Sequence, residues 1–139
     1  MEDTLIKYNT AVLAKKKGFG ENCNAWYFIN SELIIEKCSH DQFGIGGFLA
    51  PTQSLLAKWL REVHNIEVGV MRYTYSGGIY QGRKYMWYVD QYDPKYNHEI
   101  EEDDNYWILN ERQSQGYEFN TYEQAYEKGL QEALKLIKW

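Results

Sequence analysis

Cys23, Cys38, His40 and His64 are candidates to hold a metal or share a proton in catalysis. Cys38 and His40, one residue apart, could offer two ligands from the end of a strand. Structural zinc sites, however, pair their cysteines two to four residues apart, and Cys23 and Cys38 are too widely spaced for that knuckle. The pattern favours buried thiols and a surface histidine, and no metal or cofactor is expected. A thiolate nucleophile would need one of the same imidazoles as its base. The spacing nominates no third catalytic member, so an enzyme is not the preferred reading. His64 falls at the end of a helical pattern, where an imidazolium would complement the carbonyl terminus. Gly44-Ile45-Gly46-Gly47 has glycines in the manner of a phosphate loop, but Phe48 follows where that loop requires a lysine, so this run reads as a connector.

The most unusual feature is aromatic. Between Tyr73 and Trp107 lie Tyr73, Tyr75, Tyr80, Tyr85, Tyr88, Tyr92, Tyr96 and Tyr106, with Trp87 and Trp107. One face of a sheet cannot hide rings that alternate to both sides, so Tyr75, Tyr80, Tyr88 and Tyr92 are the expected surface or partner-facing set. Tyrosine and tryptophan give large amphipathic contact area at low entropic cost, which points to recognition of a protein. The competing reading is that these rings pack into the core and a second small cluster, and a further alternative is stacking of single-stranded nucleic acid on Tyr73, Tyr85 and Trp87 beside Arg72, Arg83 and Lys84. Charge opposes it. The chain carries a net −5, and Asp93, Glu99, Glu101, Glu102, Asp103 and Asp104 face only Lys95 in their own segment, a field that repels phosphates. That segment lacks the glycine and terminal glutamate of an EF-hand loop.

The elements that must position these residues follow from periodicity. With 139 residues, 44% hydrophobic and only 2 prolines, the chain suits one folded domain. Two cysteines cannot form a disulfide framework, no leader pattern opens the chain, and no apolar run approaches the ~20 residues of a membrane span. The expected setting is reducing and cytoplasmic, without a membrane. Residues Thr4 to Lys17 repeat at helical spacing, ending in Lys15, Lys16, Lys17 and then Gly18 for a left-handed stop, with Phe19 as its apolar contact. The start is open between a cap at Asp3 or Thr4 and an extended lead-in through Ile6 and Tyr8. Asn24 to Ile29 and Glu32 to Lys37 are aromatic and β-branched runs around an Asn30-Ser31 turn, hence a hairpin.

Thr52, just after Pro51, should cap a helix whose apolar face is Leu55, Leu56, Trp59, Leu60 and Val63, with Asn65 as its stop. Ile66 to Tyr75 alternates as a strand, and a shift of facing at Met71 suggests a twist or bulge. Ser76-Gly77-Gly78 is a turn, Arg83 to Tyr92 a second strand and Asn105 to Glu111 a third, making a meander. Thr121 and Gln124 form a capping box before a last helix, whose stripe runs through Tyr122, Ala125, Tyr126, Gly129, Leu130, Ala133, Leu134 and Ile137. Gly129 on the inward stripe implies close approach to the sheet. The expected class is α+β, with helices on one face of a mostly antiparallel sheet.

The string Pro51-Thr52-Gln53-Ser54-Leu55-Leu56 with Lys58 to Ile66 resembles a segment of small proteins of unassigned activity encoded by phages and prophages of gut bacteria. Thr10-Ala11, Leu13 to Lys15, Lys17 to Phe19, Tyr122-Glu123 and Gly129 to Ile137 match the same pattern in order and spacing. The resemblance implies a phage-borne origin and carries over no catalytic residue. Lys7 departs from it, standing where a serine cap is expected, and Ser76 to Asp104 is longer. The sequence therefore points to a noncatalytic intracellular adaptor or modulator contacting a protein through its aromatic strands.

Overall fold

Local signals close the helices as their residue types dictate. The computed structural model describes residues 3–38, 47–75, 82–91 and 119–138. In chain order these form α1 (Tyr8–Lys16), β1 (Trp26–Phe28), β2 (Leu33–Ile34), β3 (Gly47–Leu49), α2 (Gln53–His64), β4 (Ile66–Tyr75), β5 (Gly82–Gln91) and α3 (Tyr122–Lys135). At the end of α1, Gly18 has φ 93°. Its N–H bonds Lys15 O, and the Phe19 N–H bonds Ala14 O at 3.0 Å, the two bonds of a Schellman stop. Phe19 is buried beneath it, edge-on to Trp59. Asn65 takes the left-handed conformation after α2. Thr52 Oγ1 accepts the Leu55 N–H at 3.1 Å and Thr121 Oγ1 the Gln124 N–H at 3.2 Å.

The beginning of α1 lies later than its periodicity predicts. Leu5 bridges Thr52, Ile6 N–H bonds Pro51 O, and Gln53 N–H bonds Thr4 O. The lead-in is thus extended and paired rather than helical, and the helix starts only at Tyr8.

Among the described residues the strands form two sheets. The small sheet has the order β2-β1-β3, with Trp26 opposite both Ile34 and Leu49. Gly47–Leu49, expected as part of a connector, is therefore a strand, because β1 supplies the ladder it bonds to. The second sheet pairs β4 with β5 from Ile66↔Gln91 to Tyr75↔Gly82 in one unbroken register. That register excludes the expected bulge: Ile66, Val68, Val70 and Arg72 share one face, Glu67, Gly69 and Met71 the other. Phe119 bridges Tyr85, exchanging two 3.0 Å backbone bonds. The predicted third strand, Asn105 to Glu111, lies outside the described residues.

Helix α3 is the central element, packed on β4, β5, α2 and α1. Ala125, Leu130, Ala133 and Leu134 are fully buried, and each leucine contributes about 1.5–3 kcal/mol by leaving water. A Cβ on Gly129 would stand 3.0 Å from Trp87 Cβ and 3.0 Å from Val68 Cγ1, so the sheet approaches the helix as closely as the sequence implied. Tyr122, placed by periodicity on the inward stripe, is exposed, because it sits on the first turn past the sheet's covered area. Val63 is likewise exposed, and His64 occupies the last turn of the α2 stripe instead, 4.6 Å from the Trp59 ring. Among the described residues, no helix is long and apolar enough to cross a membrane.

Candidate functional site

Strands β4 and β5 extend beyond the first turn of α3, and the uncovered part of their inner face makes a cleft. Cross-strand partners Arg72 and Tyr85 form its floor with Val70, the start of α3 supplies Tyr122 and Tyr126, and Asp3 and Glu123 lie at its margin; its volume is about 840 Å³. The three tyrosines contact one another edge to face: Tyr85 to Tyr122 at 6.3 Å and Tyr122 to Tyr126 at 5.5 Å between ring centres. Such pairs hold each other's orientation and contribute about 0.5–1.5 kcal/mol beyond burial. Burial pushes the Tyr126 phenol up to about 12, with Tyr122 and Asp3 adding to the effect. It is therefore a neutral hydrogen-bonding group rather than a base at ordinary pH. Among the described residues the cleft has no histidine or cysteine in its lining. What it offers is stacking area, phenolic hydroxyls and one guanidinium, a set suited to recognition.

The expected partner-facing tyrosines fare unequally. Tyr88 lies on the sheet face away from α3, and its ring folds across Gly69 on the opposite strand, where a Cβ would come within 2.2 Å of Tyr88 Cζ. The ring is half-buried by this contact, and burial, with Glu67 and Asp90 nearby, raises its phenol pKa. Tyr75 ends β4 opposite Gly82; Tyr80 and Tyr92 lie outside the described residues. Of the stacking set, Arg72 and Tyr85 do meet in the cleft. Trp87 does not join them: it is only 2% exposed beneath Gly129, so the expectation of a stacking tryptophan is corrected by the position of α3.

The cysteines meet where spacing alone gave no reason to expect it. Cys23 and Cys38 are directly opposed in an antiparallel bridge and both are buried. His64 is packed on Trp59, and burial lowers its pKa, so it is a neutral ring rather than the imidazolium expected at a helix end. His40 and Gly44 to Gly46 lie outside the described residues, as does the acidic segment 93–104. Among the described residues no group of three or more His, Cys, Asp or Glu could hold a metal ion.

Two features escaped the sequence. Glu127 of α3 is 5% exposed, and its Oε2 accepts the Lys7 N–H at 3.0 Å and the Thr10 hydroxyl, while Oε1 accepts Gln53 Nε2 at 3.1 Å. The carboxylate caps α1, where Lys7 makes no side-chain cap of its own. The second is the exposed apolar surface of the predicted β1–β2 hairpin, which presents Phe28, Leu33, Ile29 at 70% exposure and Ile35 at 69%. Adjacent apolar residues such as Leu33 and Ile34 point to opposite faces of a strand, and that was the available signal. No family model, curated protein or solved structure matches the chain.

Proposed function

We propose that the chain is a noncatalytic adaptor or modulator, of phage or prophage type by its resemblance, that recognises a protein through the tyrosine-rich surface of β4–β5 and the cleft beside it. The observation that carries the reading is the Tyr85–Tyr122–Tyr126 cluster, in which Tyr122 packs edge to face on each of the other two and all three line an open cleft. Rigid aromatic anchors next to an arginine are the residue types that dominate binding energy at protein interfaces. The exposed apolar hairpin supports a second contact area of the same kind. Two cysteines present as thiols suit a reducing cytoplasm.

The test is capture by the immobilised full chain from bacterial lysate under reducing conditions, followed by affinity measurements with the purified partner. Tyr122→Ala, at an exposed position and with its melting temperature checked against the parent, is expected to weaken binding about 10-fold or more, as hot-spot truncation does; Tyr88→Ala combined with Tyr92→Ala is tested alongside. Unchanged affinity in both variants rejects the surface. The pairing of Arg72 with Tyr85 in the cleft favours the nucleic-acid alternative more than any other observation. Anisotropy of a labelled single-stranded oligonucleotide decides it: salt-sensitive binding abolished by Arg72→Gln would replace the protein-binding reading, while absence of binding at low salt removes the alternative.

A further inference from the structure

Cys23 and Cys38 exchange both backbone hydrogen bonds, Cys23 N–H to Cys38 O at 2.9 Å and Cys38 N–H to Cys23 O at 2.8 Å. This is the hydrogen-bonded type of antiparallel pair, in which Cα atoms stand ~5.5 Å apart and both side chains leave the same face. Disulfides span Cα separations of ~4.4–6.8 Å. The two thiols enter the same core cluster, and each donates only weakly, Cys23 to Glu21 O at 3.3 Å and Cys38 to Ala25 O at 3.3 Å. Closing the bond requires the Cβ atoms to converge by roughly 1–2 Å. The bridge is an isolated one outside the named strands, so among the described residues no flanking ladder rung resists that movement. Between the two cysteines lie β1 and β2, so the pair brackets the base of the hairpin that exposes Phe28, Ile29, Leu33 and Ile35.

We propose that Cys23 and Cys38 form a redox-responsive pair that closes to a cross-strand disulfide in the folded chain and clips the base of the apolar hairpin. The oxidant is a small-molecule disulfide or a dithiol-disulfide oxidoreductase. The Cys38 thiolate attacks one oxidant sulfur, forming a mixed disulfide and expelling one thiolate; the Cys23 thiolate then attacks Cys38 Sγ and expels the second. Two protons leave the protein and two electrons pass to the oxidant, which departs as two thiols. Burial, with Cys38 and Glu21 beside it, pushes the Cys23 thiol up to about 12, and burial raises Cys38 as well. Closure is therefore slow at neutral pH and faster in mild alkali, where the thiolate fraction grows.

The full chain is incubated, folded, with oxidised glutathione in mildly alkaline buffer, then alkylated and weighed by mass spectrometry, with Cys23→Ser and Cys38→Ser treated alongside. The wild type is expected to lose both alkylatable thiols together and the mass of two hydrogen atoms, keeping no glutathione. Each single variant, unable to complete the second attack, keeps its thiol or a glutathione adduct. The oxidised wild type should melt higher than the reduced form and return to the reduced value with dithiothreitol. Two persisting thiols, a stable glutathione adduct on the wild type, or an oxidised form that melts lower would each overturn the proposal. None of these readouts depends on a binding partner, so the result stands apart from the recognition reading.

Discussion

Replacing Glu127 by alanine should destabilise the fold more than any other substitution of a charged residue among those described. Its carboxylate receives the Lys7 N–H, the Thr10 hydroxyl and the Gln53 amide at the start of α1. Gln53 retains a second acceptor, Glu123 O at 2.9 Å. Thr10 retains only a donor, Gln131 Nε2 at 2.9 Å, so its hydroxyl proton and the Lys7 N–H are left without their acceptor. A donor stranded in the interior costs about 1–3 kcal/mol, so two such donors cost roughly 2–6 kcal/mol. Part of this is offset because the buried carboxylate no longer has to be desolvated. A net loss of about 3 kcal/mol follows, which lowers the melting temperature of a chain this size by roughly 10 °C.

Glu127→Gln keeps one acceptor oxygen and should lose about half as much. Thermal melting by circular dichroism measures both, and the Glu127→Ala/Thr10→Val double-mutant cycle isolates the shared bond, with an expected coupling of about 1 kcal/mol or more. An alanine variant within roughly 2 °C of the parent, or strictly additive single changes, would refute the capping argument.

Two further outcomes test the packing. Gly129→Leu should melt below Gly129→Ala by the equivalent of about 2 kcal/mol, because alanine gains helix propensity against a contact tight by a few tenths of an ångström while leucine must displace Trp87 and Val68; equal melting would show that the helix and sheet are not in close contact. His64 is held neutral by burial, so the folded chain binds fewer protons than the unfolded one, and stability falls as pH drops below the ordinary imidazole value of about 6.5. His64→Gln should flatten that part of a melting-versus-pH curve, and an unchanged slope would place the titrating group elsewhere.

What could be read from residues alone was local. Gly18, Asn65, Thr52 and Thr121 act within one turn of themselves, and each closes or opens its helix where expected. What could not be read was carried by distant partners. Lys7 gave no cap because its acceptor is 120 residues away on α3. Gly47–Leu49 showed little strand propensity, since three residues become a strand only when β1 lies beside them. Tyr85 and Trp87 share a sheet face and were equivalent by alternation. Where α3 begins separates them, leaving the tyrosine half-buried in the cleft and the tryptophan sealed.

The same reasoning limits what a count of tyrosines can say about free surface. Tyr88 points away from α3, yet Gly69 opposite it leaves a gap in the sheet that the ring fills, so part of the aromatic area expected outside covers backbone. Apolar area instead emerges at the β1–β2 hairpin, and that hairpin is tied to the cleft by one chain of contacts. Tyr126 lines the cleft; its neighbour Glu127 fixes Lys7 and Thr10; and Tyr8, the first residue of the helix so fixed, donates to Ile29 O at 2.8 Å and packs edge-on against Tyr27. The Glu127 carboxylate, which holds the first turn of α1 together with the paired lead-in, is therefore one link between the hairpin and the tyrosine cleft, although it lines neither.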